Sequence, residues 1–238
     1  MKAETPMRTI KRSELQQGGF QGVCEHRFVM SPKLYAGRQE PGVSSGIGDF
    51  VYLADAEFRP HGETGMHGHK EIDVISVMAK GRIAHQGSLE HGQELSGHDV
   101  QVQRAGAEGF QHNELNPDDE TNRMIQLWCL PETKGECAGY KLYAPEQGQT
   151  QRIYGGARDQ SNTYASKTLI DVATLLPGQI LELAGEFIAF VVTGDGKANA
   201  QATSDSTLVE GVDLRFEARA DTQLLLIHAS GEEPRVSN

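Results

Sequence analysis

Short hydrophobic runs, many of them alternating with polar residues, recur along the chain and are closed by Gly, Asp, Asn or Pro. Alternation with a period of two is typical of β-strands, because successive side chains of a strand point to opposite faces. Helical periodicity is scarce. The clearest runs are residues 50–53, 72–78, 99–102, 123–128, 187–192 and 223–228. Many short strands joined by glycine-rich turns predict an all-β fold, either a sandwich or a barrel.

One part of this pattern occurs twice. Gly81 and Gly97 are 16 residues apart in the first copy, and Gly196 and Gly211 are 15 residues apart in the second. Each copy leads to an apolar strand, at residues 126–128 and 224–226. The repeat predicts two similar β domains, residues 1–145 and 146–238, with the polar stretch 146–166 as their connector.

Composition narrows the function classes. The 238 residues carry a formal net charge of −11 without clustered Lys or Arg, which argues against a nucleic-acid-binding surface. No apolar stretch approaches the roughly 20 residues of a membrane span, and the N-terminus lacks the apolar core of a signal peptide. The three cysteines are widely spaced, which favours reduced thiols. These features predict a cytoplasmic protein with no membrane partner.

Seven of the nine histidines lie between His61 and His112, and two short motifs stand out among them. An H-x-H motif on a strand places two imidazoles on one face, and an H-x-E motif does the same for an imidazole and a carboxylate. Two such strands in one barrel would bring three nitrogens and one oxygen together, a donor set suited to a divalent transition metal. The predicted ligands are His67, His69, His112 and Glu114.

The remaining candidates in this region have weaker support. His61 is expected in a surface loop, and His85, His91 and His98 flank glycine-rich turns, where solvated side chains are expected. Asp73 continues the face of His67 and His69 and is therefore a candidate for a hydrogen bond that orients an imidazole.

The second half of the chain offers no comparable ligand pair. It contains only His228, and the positions equivalent to His67 and His69, counted back from Gly196, are Glu182 and Ala184. One metal per chain, in the first domain, is therefore expected.

As a set, these motifs resemble the pirin family of bicupins. The matching segments are residues 67–73, 81–88, 97–101, 105–114 and 126–128. The resemblance implies two antiparallel β-barrel domains of the jelly-roll or cupin type. It also implies that the four predicted ligands hold one metal, most often iron in this family; Ni, Co, Mn, Cu and Zn suit the same donor set.

The resemblance further implies an activity of the quercetin 2,3-dioxygenase type, which uses dioxygen and a flavonol-like enolic substrate. Glu114 would then act as the general base for the substrate's hydroxyl group. One alternative is a non-enzymatic metal-binding or redox-sensing protein that acts through a protein partner. Another is a cupin isomerase or sugar-modifying enzyme. An open, polar cavity would favour the last hypothesis, and an aromatic-lined, apolar cavity would favour a flavonoid substrate.

Overall fold

The computed structural model describes residues 7–89, 93–229, 231 and 233–237. The strands of the first half are β1 Arg8–Lys11, β2 Gln17–Phe20, β3 Val23–Met30, β4 Phe50–Phe58, β5 His67–His69, β6 Asp73–Lys80, β7 Arg82–Gly87, β8 Glu94–Ser96, β9 Val100–Arg104, β10 Phe110–Leu115, β11 Asn122–Cys129 and β12 Gly139–Tyr143. Those of the second half are β13 Gln149–Gly156, β14 Ser166–Leu175, β15 Ile180–Thr193, β16 Asp195–Ala198, β17 Gln201–Ser204, β18 Thr207–Ala218, β19 Thr222–Ala229 and β20 Arg235–Ser237. The helices are the 3-10 turn Arg12–Glu14 and α1 Pro32–Tyr35.

The all-β prediction is confirmed, and every pairing between these strands is antiparallel. The chain divides into two compact units. One unit is Leu15–Ala144. The other combines Pro145–Asn238 with the described part of Met1–Glu14. None of the helices in the described residues has the length and apolar character needed to span a bilayer.

The unit Leu15–Ala144 contains two sheets. The larger has the strand order β12-β9-β6-β11-β4-β3-β2, and the smaller has the order β5-β10-β7-β8. Side chains of both sheets meet in one apolar cluster, because Phe58 and Met124 of the larger sheet pack with Ile83 and Leu95 of the smaller. The core of this unit therefore lies between the two sheets. Along each strand, the residues that alternate with the core residues face outward.

The other unit is built on a single nine-stranded sheet whose main order is β13-β14-β19-β15-β18-β16-β17. Alternate residues of its long strands pack into one cluster that includes Leu175, Phe187, Phe216 and Leu226. No group of metal-ligating side chains occurs in the described residues of this unit. Its buried His228 lies 2.8 Å from Asp171, and Asp171 also accepts a 2.7 Å hydrogen bond from Arg152.

The predicted repeat is confirmed by the strand order. In the first unit, neighbouring strands of the larger sheet follow the order β3-β4-β11-β6-β9. The second unit has the equivalent order β13-β14-β19-β15-β18. The hairpin β7-β8 corresponds in chain order to the hairpin β16-β17. Gly81 directly precedes β7, and Gly196 lies in β16.

Near the N-terminus, the division of the chain into units differs from the boundaries expected from the sequence. The structure groups Arg8–Lys11 with the second unit rather than with residues 15–144, because β1 pairs with β18 from Arg8↔Glu210 to Lys11↔Thr207. A four-residue edge strand has no long-range signal in its sequence, so its partner was not predictable from the local pattern.

We expect Phe58→Ala to lower the free energy of unfolding of the unit Leu15–Ala144 by about 3–5 kcal/mol, because it leaves a cavity in the core between the sheets. Leu142→Ala is the matched control, since Leu142 is 49% exposed, and it should cost about 0.5 kcal/mol or less. Urea denaturation followed by the fluorescence of Trp128, the chain's single tryptophan, measures both. Equal effects would contradict this placement of the core.

Candidate metal centre

Strand β10 is the centre of the site because it pairs with β5 on one side and β7 on the other. His112 lies opposite His67 in the first pairing, and Glu114 lies opposite His85 in the second. Antiparallel neighbours on one face of a sheet lie close enough to interact. The register therefore brings two motifs that are 45 residues apart in sequence into contact.

The three predicted imidazoles converge. Nε2 of His112 lies 3.0 Å from Nε2 of His67 and 3.2 Å from Nε2 of His69. All three rings have a nitrogen within 4.8 Å of the others. Ligands at right angles on one metal with bonds of about 2.1 Å would be about 3.0 Å apart, so these separations fit a shared divalent ion.

The tautomer of His67 also suits a ligand. Its Nδ1 lies 2.9 Å from the carbonyl oxygen of Gly65, so the Nδ1–H donates to the backbone and Nε2 carries the lone pair that points at His112. Close facing nitrogens with lone pairs repel one another unless a proton or a metal ion lies between them. The donor set present here therefore fits a transition metal.

Glu114 lies beside this cluster and is held by several donors. Its Oε1 accepts hydrogen bonds from Ser76 at 3.3 Å, His85 at 3.2 Å and Gln126 at 3.2 Å, and its Oε2 accepts one from Gln126 at 3.1 Å. With His85 and His112 it forms a second group of clustered donor atoms. The four predicted ligands are thus neighbours, with His112 common to both groups.

Burial and charge decide the protonation of these groups. Burial and the neighbouring His67 lower the pKa of His69 to about 4. Burial, with the charges of His67 and His69, lowers the pKa of His112 to about 3 although Glu114 opposes this. Burial raises the pKa of Glu114, but the imidazoles of His112, His85 and His67 and the hydrogen bond from His85 outweigh it and lower the pKa to about 2. Near neutral pH the site therefore contains an ionised carboxylate and neutral imidazoles of His69 and His112, the states that bind a metal.

The prediction that His85 is solvated is wrong. His85 is 1% exposed; its Nε2 contacts Glu114, and the side-chain amide of Gln101 lies 2.6 Å from the same nitrogen. The missed signal was the alternation in β7, because Ile83 and His85 share a face and Ile83 is a core residue. Ser76 lies in no motif, whereas Gln101 and Gln126 lie in segments that resemble the pirin family. As single polar residues on apolar strands, they gave no indication of what they would face.

The other candidates lie as follows. His61 and His98 are exposed, as expected, and His91 lies outside the described residues. Asp73 is buried and accepts a 2.8 Å hydrogen bond from Arg104. It does not continue the strand of the imidazoles, because β5 ends at His69 and the chain turns through Glu71, which has a positive φ of 52°.

A cavity of about 710 Å³ opens over His67, His69 and Glu114. Its walls include the aromatic side chains of Tyr52 and Trp128, whose rings stack with centroids 4.3 Å apart. Trp128 also meets His69 edge-on, at a centroid distance of 5.6 Å. Charged side chains, Glu25 and Arg27 among them, line the same cavity. The volume falls within the range of small-molecule sites.

The Pirin family model matches residues 19–129, which include all of these imidazoles, Glu114 and Trp128. Residues 19–129, just under half of the chain, are therefore similar to the pirin family. PA1210 of Pseudomonas aeruginosa is 29% identical over 220 residues, which cover 87% of this chain and 92% of that protein. The quercetin 2,3-dioxygenase of Escherichia coli K12 is 26% identical over 173 residues, which cover 71% and 72% of the two chains.

The solved structure of the bacterial pirin YhhW from Escherichia coli, in complex with nickel(II), matches with a TM-score of 0.79 and 20% identity. The match covers 93% of this chain and 98% of that one. The two β units are therefore those of a pirin-type bicupin, as the sequence motifs implied.

We expect Ni²⁺ or anaerobic Fe²⁺ to quench the fluorescence of Trp128 with an end point of one metal per chain, because His69 lies against the indole ring. His69→Ala should weaken binding at least about tenfold, since it removes a donor. The exposed His98→Ala is the control and should titrate like the wild type. Unchanged affinity in His69→Ala would show that the ion binds elsewhere.

The low pKa values of His69 and His112 predict the number of protons released when the metal binds. These two rings are already neutral at pH 6 and have no proton to lose. Two histidines with the ordinary pKa of about 6.5 would together release about 1.5 protons at this pH. We therefore expect about one proton or fewer per metal at pH 6, measured by calorimetry in buffers of different ionisation enthalpy. A release of two or more would contradict the neutral state of these imidazoles.

Proposed function

We propose that this protein is a pirin-type, metal-dependent dioxygenase that opens a flavonol-like enolic substrate. The observation that carries the proposal is the imidazole cluster with an ionised Glu114 beside it, at the base of an aromatic-walled cavity. The quercetin 2,3-dioxygenase named among its relatives supports the same reaction class. The stacked Tyr52 and Trp128 favour an aromatic substrate over a sugar, for which a polar wall would be expected.

We propose iron as the resident metal, held by His67, His69, His112 and Glu114, because imidazole and carboxylate ligands with open positions suit Fe(II) oxygenases. A metal held there would act as a Lewis acid that lowers the pKa of an enolic hydroxyl, and would supply the redox chemistry that dioxygen requires. The free state of the chain's three cysteines supports a cytoplasmic location, where such thiols stay reduced.

The chain's own residues would bind, orient and deprotonate the substrate. Oε2 of Glu114 accepts fewer hydrogen bonds than Oε1, so it is the oxygen that can take the hydroxyl proton. The ionised Glu114 carboxylate can accept the proton of a hydroxyl that a bound metal has already acidified. His85 and Gln126 keep the carboxylate in place, and Trp128 and Tyr52 provide a flat wall for the substrate's rings.

The test is oxygen uptake with quercetin as the substrate, using protein reconstituted with Fe²⁺. Glu114→Gln preserves the size of the side chain but cannot take up the proton, so we expect kcat to fall by roughly 10²–10⁴. His67→Ala should lose both metal and activity, and His98→Ala should keep both.

Iron-loaded protein that binds quercetin without consuming oxygen would overturn the proposal. Binding to a protein partner that changes with the metal state would then favour the regulatory hypothesis.

A further inference from the structure

The cavity has a second polar region, separate from the imidazoles and formed by residues of β3 and β4. Glu25 is only 6% exposed, yet it lines the cavity together with Arg27 and Tyr52. Its Oε1 accepts hydrogen bonds from Nε of Arg27 at 2.9 Å and from Nη2 at 2.5 Å, and its Oε2 accepts one from the Tyr52 hydroxyl at 3.1 Å. Buried carboxylates are uncommon unless they are paired, and Glu25 is paired with Arg27 while it also faces the cavity.

An aromatic wall connects this region with the imidazole cluster. His69 meets Trp128 at 5.6 Å, and Trp128 stacks on Tyr52 at 4.3 Å with an interplanar angle of 26°. The hydroxyl at the far end of Tyr52 is the group that contacts Glu25. A ligand whose reacting group lies at the imidazoles would therefore extend along two aromatic side chains before it reaches Glu25.

The region offers acceptors to a ligand. Glu25 has about four lone-pair directions, and the three hydrogen bonds from Arg27 and Tyr52 leave one of them, on Oε2, available. Burial and the charge of Glu25 raise the pKa of Tyr52 well above its usual range, so Tyr52 keeps its proton, donates it to Glu25 and presents its oxygen as an acceptor. A ligand hydroxyl bound here can donate a hydrogen bond to Glu25, and the two N–H groups of Arg27 not used by Glu25 and Glu40 can donate to its oxygen.

The charges of the region are balanced and do not favour an ionic ligand. The guanidinium of Arg27 is shared between Glu25 and Glu40, which lies 2.7 Å from its Nη1. Arg38 also acts on Tyr35, which lines the same part of the cavity. Two carboxylates thus face two guanidiniums, and no net charge favours an ionic ligand. A neutral hydroxyl group fits this region, because it donates and accepts hydrogen bonds and carries no charge.

We propose that Glu25 and Tyr52 form a subsite that binds the hydroxyl groups on the second aromatic ring of a polyphenolic substrate, with that ring against the wall of Tyr52 and Trp128. The proposal rests on the proposed function for the position of the reacting end. It adds that the distal hydroxyls, recognised by Glu25, determine which polyphenols this protein prefers.

The test compares three flavonols that differ only in the hydroxyls of the second ring: quercetin has two, kaempferol one and galangin none. Dissociation constants are measured without dioxygen by calorimetry and by quenching of the single tryptophan, Trp128, so that turnover does not interfere. The wild type should bind quercetin roughly 10–100-fold more tightly than galangin, as expected for a hydrogen bond to a charged group. Glu25→Gln should remove most of this preference and leave the affinity for galangin within about threefold.

Glu40→Gln is the matched control, because Glu40 pairs with the same guanidinium but does not line the cavity. It should keep the wild-type preference. Tyr52→Phe keeps the ring that stacks on Trp128 and removes only the hydroxyl, so a severalfold loss of preference is expected from it as well. This variant also tests the subsite if Glu25→Gln does not fold.

The outcomes separate this proposal from the proposed function. Equal binding of quercetin and galangin by the wild type overturns the subsite, even if oxygen uptake is observed. A clear preference that depends on Glu25, without oxygen uptake, supports the subsite and overturns the dioxygenase. Loss of preference to the same extent in Glu25→Gln and Glu40→Gln shows that the ion pairs only stabilise the wall, which also overturns the subsite.

Discussion

The register of β10 with its two neighbours is the constraint on which the site depends. Side chains in a strand alternate with a period of two, so a slip of one residue in either pairing would turn the imidazole of His112 away from His67 or the carboxylate of Glu114 away from His85. Gly87 shows how tight the pairing is. A Cβ atom at Gly87 would lie 2.1 Å from the carbonyl oxygen of Gln111, so only glycine permits this approach of β7 to β10.

The interior of the first unit has an apolar part and a polar part. An apolar cluster around Phe58 and Met124 fills one part of the space between the sheets, and donors from both sheets surround the buried Glu114 carboxylate. An unpaired buried charge would cost several kcal/mol, so Ser76 and Gln126 from the larger sheet and His85 from the smaller are as necessary as the motif residues. The hydrogen bonds to Glu114 also join the two sheets, which links the stability of the fold to the site.

The second unit has the same strand order with different chemistry. The second unit contains a hydrophobic cluster and the pair His228–Asp171 in place of a set of metal-ligating side chains. The carboxylate of Asp171 also accepts a hydrogen bond from Arg152. Among the described residues of this unit, no further metal-ligating side chain joins this imidazole and carboxylate. Both units have the same strand order because strand order follows from the spacing of apolar runs. A metal site requires particular side chains at a few positions, so the predicted metal ligands of the first unit need not recur in the second.

The sequence by itself determined the all-β class, the internal repeat and the two motifs with their shared faces, because each of these follows from local periodicity and spacing. The structure brings His67, His69 and His112 together next to Glu114, which agrees with the geometry that the motifs predicted, while their role as ligands stays a prediction. Only the tertiary structure decided that His85 is buried against Glu114, that β1 joins the second unit, and that Glu25 and Tyr52 share a cavity with the imidazoles. Each of these depends on contacts between strands distant in sequence, and local patterns do not specify which strands become neighbours.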